Sequence, residues 1–372
     1  MNIINKPELG PLATFVPNKH LPVYNWFYYK EGFSRDLVFH LLDLFRPKNV
    51  LDPFCGVGTT TLACKEAGIP STGTDASPLA CLAARVKCGT FPAAELEQGC
   101  DFLRSLRFFP SKETFPRELK KFYPPRIADD ILFFRHAIAS LPPVAREFFQ
   151  LAFITTSARC SFIFRDGAVL KVVRKPLPPF RHYFFRLLRR MIAEYAVFPA
   201  GAAPHILHAD ARKLPFADGS FDCVITSPPY LNKIEYQTSY GPEELLFFGG
   251  GSQKGLRSFI GQKEPLEDVP SLPQPAAKAY FSDMKKVLQE LHRVCRPGAN
   301  LAIVIGNACF PDGPLDCDTI LSDLAGKIGF TPGDIWCVNT RWCTKNRVEK
   351  LGQMRESIVF LKKKYIRSNL MI

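Results

Sequence analysis

Two periods of hydrophobic and polar positions alternate along the chain, and the switches between them locate its elements. DLVFHLLDLF (36–45) places apolar residues at helical spacing, NVLDP (49–53) is a short apolar strand, TTTLACKEAG (59–68) is a helix closed by Gly68, and STGTD (71–75) is a second strand. This strand–helix–strand alternation predicts an α/β fold with a parallel sheet and right-handed crossovers. Residues 96–200 break the alternation with mostly helical patterns and Pro-rich joints at Pro142–Pro143 and Pro176–Pro179. Strands resume afterwards in ILHAD, DCVIT, NLAIVIG, DIWCV and ESIVFLKK, and the Gly- and Pro-rich stretch 249–276 reads as a surface excursion. The expected division is an aromatic, loop-like N-terminal segment (1–35), a first α/β part (36–95), a helical insert (96–200) and a second α/β part (201–372).

Composition narrows the class. The chain has 372 residues, 47% hydrophobic and 22% charged, an ordinary globular balance that does not suggest disorder. No apolar run approaches the roughly 20 residues that span a bilayer, and MNIINKPELG lacks the pattern of a secretory leader. Twelve cysteines are scattered without a CxxC pair, so reduced, buried thiols of a cytoplasmic protein are expected, with no metal site. The net charge is +13, and residues 101–200 carry +10 of it, concentrated in stretches such as RHYFFRLLRR (181–190). That block directs attention to a polyanionic partner, with Arg186, Arg189 and Arg190 as candidate nucleic-acid contacts; the plain alternative is an amphipathic helix with a solvated Arg face.

The first chemical motif is Asp52-Pro53-Phe54-Cys55-Gly56-Val57-Gly58-Thr59-Thr60, after a strand and before a helix. Gly56 and Gly58 allow a tight turn and close approach of a ligand to the backbone. No Lys-Ser/Thr follows as in a phosphate loop, and Thr61 stands where a dinucleotide fingerprint has its third Gly. Asp52 would repel a pyrophosphate and welcome a cation. Asp75 ends the next strand, where a carboxylate can accept from ribose hydroxyls, and Asp210 ends a later one, where it could accept from an adenine amine. Each acid alone reads equally well as a helix cap or turn residue. Together they suit a nucleoside with a positively charged tail, a description that S-adenosylmethionine fits.

The second motif, DCVITSPPY (222–230), is a buried strand ending in Ser227-Pro228-Pro229-Tyr230. Two prolines remove two backbone donors and leave carbonyls free to face a site, although the tetrapeptide would also serve as a rigid turn. With both motifs in place, the sequence resembles the amino-methyltransferases of DNA, whose signatures are a DPFxGxGTT turn and a (D/N/S)PP(Y/F) tetrapeptide. The resemblance covers residues 20–95 and 201–365 and matches the insert only by position. It implies a Rossmann-like class I methyltransferase with a seven-stranded, mostly parallel sheet, ESIVFLKK being the antiparallel strand. It also implies S-adenosylmethionine as cofactor, near Phe33, Ser34, Asp52, Pro53, Phe54, Gly56, Gly58, Thr59, Thr60, Asp75 and Asp210.

The target implied is an exocyclic amine of a DNA base, as in restriction-modification. Such an amine is reachable only once the base leaves the stack. Tyr230 would stack on that base, while Ser227 and the Pro228 carbonyl would accept from its amine, with Pro229 stiffening the edge. Lys233 and Tyr236, and with them Tyr240, are candidates for contacts from the segment that follows. Ser at the first position of the tetrapeptide is associated in the family with cytosine N4 and Asp with adenine N6, so cytosine N4 is expected. The alternatives are adenine N6, guanine N2 of tRNA, and a non-catalytic nucleic-acid-binding protein on the same fold. A monomer is expected.

Overall fold

The computed structural model describes residues 1–29, 32–166, 169–231, 236–249, 275–346 and 348–365. In chain order its elements are β1 (Ile3–Asn5), α1 (Arg35–Phe45), β2 (Val50–Asp52), α2 (Thr59–Glu66), β3 (Ser71–Asp75), α3 (Pro78–Cys88), α4 (Ala93–Ser105), α5 (Pro125–Ala139), α6 (Pro143–Arg159), β4 (Ile163–Asp166), β5 (Val169–Val172), α7 (Phe180–Ala196), β6 (His205–His208), β7 (Phe221–Thr226), α8 (Tyr236–Phe248), α9 (Pro275–Val294), β8 (Cys295–Gly306), β9 (Ala308–Phe310), β10 (Gly313–Leu315), α10 (Cys317–Ile328), β11 (Phe330–Lys345) and β12 (Glu349–Lys363). Most of the stretch expected as a surface excursion, residues 250–274, lies outside the described residues.

The main sheet has the order β1-β11-β12-β8-β7-β2-β3-β6. Every pairing is parallel except those of β12, which runs against both β11 and β8. This is the class I methyltransferase architecture, with the antiparallel strand where ESIVFLKK placed it. The expected count of seven strands is corrected to eight, because Ile3–Asn5, read as loop, pairs in parallel with β11 from Ile335 to Cys337. Three residues give too short a pattern to separate strand from coil.

Strand residues divide by parity. Leu301, Ile303 and Ile305 of β8 pack with α9 and α10, while Ala302 and Val304 pack with α1 and α2 on the other face. Both faces are covered, which is why the strand reads as a continuous apolar run. Between α3 and β6 the chain leaves the sheet for α4–α7 and the β4–β5 hairpin, whose strands the helical reading missed. The many Phe residues there form an aromatic core: Phe134, Phe148, Phe149, Phe153, Phe180 and Phe184 join Leu82 and Val86 of α3. On α7 the buried positions Phe180, Phe184, Leu187, Leu188 and Met191 follow helical spacing, leaving Arg186, Arg189 and Arg190 exposed.

The expectation of uniformly reduced cysteines is also corrected. Cys309 of β9 and Cys343 of β11 form a disulfide, and the other ten are free and buried. Sequence position could not show this, because 34 residues separate the partners and only the fold of β11 over the β9–β10 hairpin brings them together. Next to it, Arg355 of β12 donates from Nε and Nη2 to fully buried Asp318, each at 2.9 Å, and Ser357 Oγ donates to the same carboxylate at 2.8 Å. Removing the guanidinium strands a buried charge. Arg355→Ala is expected to lower unfolding free energy by about 3–5 kcal/mol, read by urea denaturation.

Candidate active site

The carboxyl edge of the sheet carries one pocket into which both motifs open. β2 ends at Asp52, and the chain turns through Gly56 (φ 50°) and Gly58 (φ 84°) into α2. Both glycines occupy the left-handed region, where a side chain is strained. A Cβ on Gly58 would also sit 2.9 Å from that of Ala84, so this glycine serves the packing of α2 on α3. The turn is tied to β3: Cys55 N–H donates to the Thr74 carbonyl at 2.9 Å and Gly56 N–H to Asp75 Oδ2 at 2.9 Å. Ser77 N–H donates to the other Asp75 oxygen at 2.9 Å. Burial raises the Asp75 pKa, and these two backbone donors oppose the rise.

Asp52 is 2% exposed. Its Oδ1 accepts from Thr226 Oγ1 at 2.6 Å and from Phe54 N–H at 3.1 Å. Burial pushes its pKa up from the ordinary 3.8 to about 6, against the hydrogen bonds from Thr226 and Phe54. Thr226 is the last residue of β7, and Ser227-Pro228-Pro229-Tyr230 follows directly. One hydrogen bond therefore joins the glycine turn to the tetrapeptide. Ser227 and Pro229 line the pocket, Pro228 is buried, and Tyr230 Oη donates to Glu356 Oε1 on β12 at 3.2 Å.

The other residues expected at the cofactor divide into two groups. Phe33, Pro53, Phe54, Gly56, Thr59, Asp75 and Asp210 line the same pocket as Asp52. Ser34, Gly58 and Thr60 do not line it. Ser34 is buried as the N-cap of α1, its Oγ accepting from Leu37 N–H at 3.2 Å, and Thr60 Oγ1 donates to the Ile225 carbonyl at 3.3 Å. Asp210 reaches the pocket already engaged: Arg212 Nε donates to its two oxygens at 2.9 and 3.0 Å, and Arg212 Nη1 reaches Asp283 at 3.1 Å.

Among the candidate nucleic-acid contacts, Lys233 lies outside the described residues and Tyr236 begins α8. The C-terminal end of α7 is tied through Tyr24 and Trp26 to the end of α2 away from the glycine turn. Glu194 accepts from Trp26 Nε1 at 2.7 Å and faces Arg190 at 3.6 Å, while Tyr24 bridges Phe198, just beyond α7, to Glu66 at the opposite end of α2 from Gly58. Arg186 lies over the Tyr183 ring, 5.1 Å from its centroid.

Sequence reasoning missed Tyr29, Ser77, Arg212 and Glu244, which also line the pocket. The Tyr29 ring stacks on Tyr240 at 4.8 Å, and Ser77 Oγ donates to Glu244 at 2.8 Å. The aromatic run at 24–29 and the Ser77-Pro78 helix start were the available signals. Among the described residues, no cluster of three or more His, Cys, Asp or Glu could hold a metal ion, and no helix is long and apolar enough to cross a membrane.

No protein-family model matches the sequence. The chain is similar to the type II methyltransferase M.AvaI of Nostoc sp., 25% identical over an alignment covering 86% of this chain and 81% of the relative. It is likewise similar to the type II methyltransferase M.BsoBI of Geobacillus stearothermophilus, 24% identical, covering 95% and 88%. A solved SAM-dependent methyltransferase from Methanosarcina mazei aligns over 88% of this chain and 98% of its own, at 12% identity and a TM-score of 0.34. The resemblance carried by two short motifs thus extends to type II methyltransferases along most of the chain.

Asp52 gives the site a measurable signature. A folded-state pKa of about 6 against 3.8 unfolded means that ionised Asp52 destabilises the fold above pH 6, and that this penalty vanishes as pH falls below 3.8. Asp52→Asn is expected to raise stability by up to about 3 kcal/mol at pH 8 and to change little at pH 3.5, read by denaturant titration at the two pH values.

Proposed function

We propose that this chain is a DNA methyltransferase that carries a methyl group from S-adenosylmethionine to the exocyclic amine of an extruded base, cytosine N4. The observation that carries the reading is the single pocket lined at once by the glycine turn, by Asp52 and Asp75, and by Ser227 and Pro229. The donor set fits the cofactor. Asp75 holds carboxylate oxygens toward the pocket with two backbone N–H groups behind them, suited to ribose hydroxyls. Asp52 is a buried acid whose elevated pKa marks the absence of a countercharge, which a sulfonium or ammonium would supply. Phe33, Phe54 and the Tyr29–Tyr240 pair supply apolar walls.

Bound S-adenosylmethionine supplies an electrophilic methyl group on a sulfonium. The chain's own residues do the positioning. The hydroxyl of Ser227 and the carbonyl of Pro228 accept from the target amine and turn its lone pair toward the reacting centre. Tyr230 stacks on the extruded ring, a contact worth roughly 1–3 kcal/mol by comparison with single-strand binding, and its hydroxyl is steadied by Glu356. Orientation and electrostatics then provide most of the acceleration. Ser227 stands at the first position of the tetrapeptide, where the resemblance associates Ser with cytosine N4 and Asp with adenine N6, and this supports cytosine as the target. The insert docks the phosphate backbone. Its exposed run Lys171–Lys175 begins in β5 and continues out of the β4–β5 hairpin, and β5 packs near α8, so this part of the positive charge is close to the site.

Incubation with methyl-labelled S-adenosylmethionine and either genomic DNA or bulk tRNA, followed by digestion to nucleosides and mass analysis, tests the reading. Label in N4-methylcytosine, reduced at least 100-fold by Ser227→Ala or Tyr230→Ala, is the expected result; label in N6-methyladenine overturns the base assignment, and label only in tRNA overturns the substrate. Two further outcomes concern the cofactor. Asp75→Ala should weaken its binding about 10- to 100-fold by calorimetry, the magnitude of one or two hydrogen bonds to a charged group. In the parent chain, affinity should fall about tenfold per pH unit below pH 6, as protonated Asp52 ceases to attract a cation.

A further inference from the structure

β12 pairs with β8 only from Lys362 to Glu356, where Gly306 ends the partner strand. β11 and β12 continue to pair with each other beyond that point, from Asn339↔Glu356 out to Lys345↔Glu349. Beyond it, six residues of β11 (340–345) and seven of β12 (349–355), at about 3.3 Å each, make a two-stranded ribbon of roughly 20 Å. Because β8 runs parallel to β7, the ribbon leaves the sheet at the same edge that carries Ser227 and Tyr230. Its root is joined to that edge by the Tyr230–Glu356 hydrogen bond and to the body by the Arg355–Asp318 pair.

The ribbon has two unlike faces. Buried Cys343 and Met354 belong to the inner one, with the Cys309–Cys343 disulfide fixing it to the β9–β10 hairpin. On the opposite face Trp342 and Lys350 are exposed together; Arg341, which pairs with Met354, and Lys345 share the parity of Cys343 and are exposed as well, against Glu349 as the one exposed acid among the described residues of the ribbon. Trp342 is 47% exposed and Lys350 Nζ lies 4.6 Å from its ring centroid. A large aromatic left in water on a braced cationic arm has no role in the core.

We propose that the β11–β12 ribbon is a DNA-docking arm that lies against the duplex flanking the methylated base, its cations on phosphates and Trp342 at the groove. Charge complementarity and continuity with the Tyr230 edge identify the occupant. A two-stranded ribbon also fits the roughly 12 Å major groove. The inference rests on the DNA methyltransferase reading and adds a second cationic surface, on the β12 side of the pocket, to the insert on the β3 side.

The test compares the parent chain with Arg341→Gln/Lys345→Gln/Lys350→Gln and, separately, with Trp342→Ala, using a mixed-sequence 30-base-pair duplex over a salt series. The triple variant should bind at least tenfold more weakly at 0.1 M salt and lose about 2–3 from the slope of log K against log salt, close to 0.9 per lost phosphate contact. Trp342→Ala should weaken duplex binding with the slope unchanged. S-adenosylmethionine affinity and the thermal midpoint should stay at parental values in both, separating a docking role from damage to the fold or the cofactor site. Parental duplex binding and slope in the triple variant would overturn the docking arm while leaving the methyltransferase reading intact. The same salt series is run with bulk tRNA, and a loss confined to tRNA would assign the arm to RNA and overturn it too. A parent chain that neither binds nor methylates DNA would overturn both.

Discussion

The hydrogen bond from Thr226 Oγ1 to Asp52 Oδ1, 2.6 Å long and wholly inside the protein, is the constraint on which the site depends. It joins the ends of adjacent parallel strands that the sequence separates by 174 residues. On the β2 side it fixes the carboxylate from which the glycine turn departs. On the β7 side it fixes the residue immediately before Ser227. The two motifs therefore keep a constant relation to each other, which direct transfer between a cofactor and a base requires. The electrostatic consequence is a buried acid whose ionisation costs the fold stability, because burial outweighs the hydrogen bonds that hold it.

Around this pair the chain arranges two bodies of opposite character. On the β3 side, the insert uses its Phe residues to build an aromatic core on α3, and its basic residues cover the outside. On the β12 side, the sheet extends past its neighbours as a ribbon braced by a disulfide and a buried ion pair. Between them lies the pocket, above β2 and β7. A polymer substrate laid across this edge would meet positive charge on both sides of the reacting base, so the net charge of +13 acts by its placement more than by its total.

The sheet was readable in the sequence wherever burial on both faces produced an apolar run, as in NLAIVIG, or where strand and turn met, as in NVLDP before the glycines. The antiparallel strand was placed by resemblance, since nothing in ESIVFLKK itself announces direction. What escaped has a common cause: pairing that depends on distant partners. Ile3–Asn5 becomes a strand only because β11 offers an edge. The ribbon lacks a clean alternation because its pairing shifts register between Cys337 and Asn339 and between Cys343 and Thr344, so its packed positions do not keep a strict period of two. Ser34 and Thr60 show the converse limit. Both sit in the expected segments, yet one caps α1 and the other bonds the Ile225 carbonyl, because neighbours in sequence need not share a pocket. Arg212, which takes up the Asp210 carboxylate, had no pattern to reveal it at all.

The central claim is that cofactor and base meet between Asp52 and Ser227, and a crystal structure of the chain with S-adenosylhomocysteine and a substrate duplex examines it directly. The account predicts a base extruded against Tyr230 with its amine at Ser227 Oγ and the Pro228 carbonyl, and the nucleoside of the product at Asp75. A duplex bound with every base stacked, or a product seated away from the glycine turn, would contradict it.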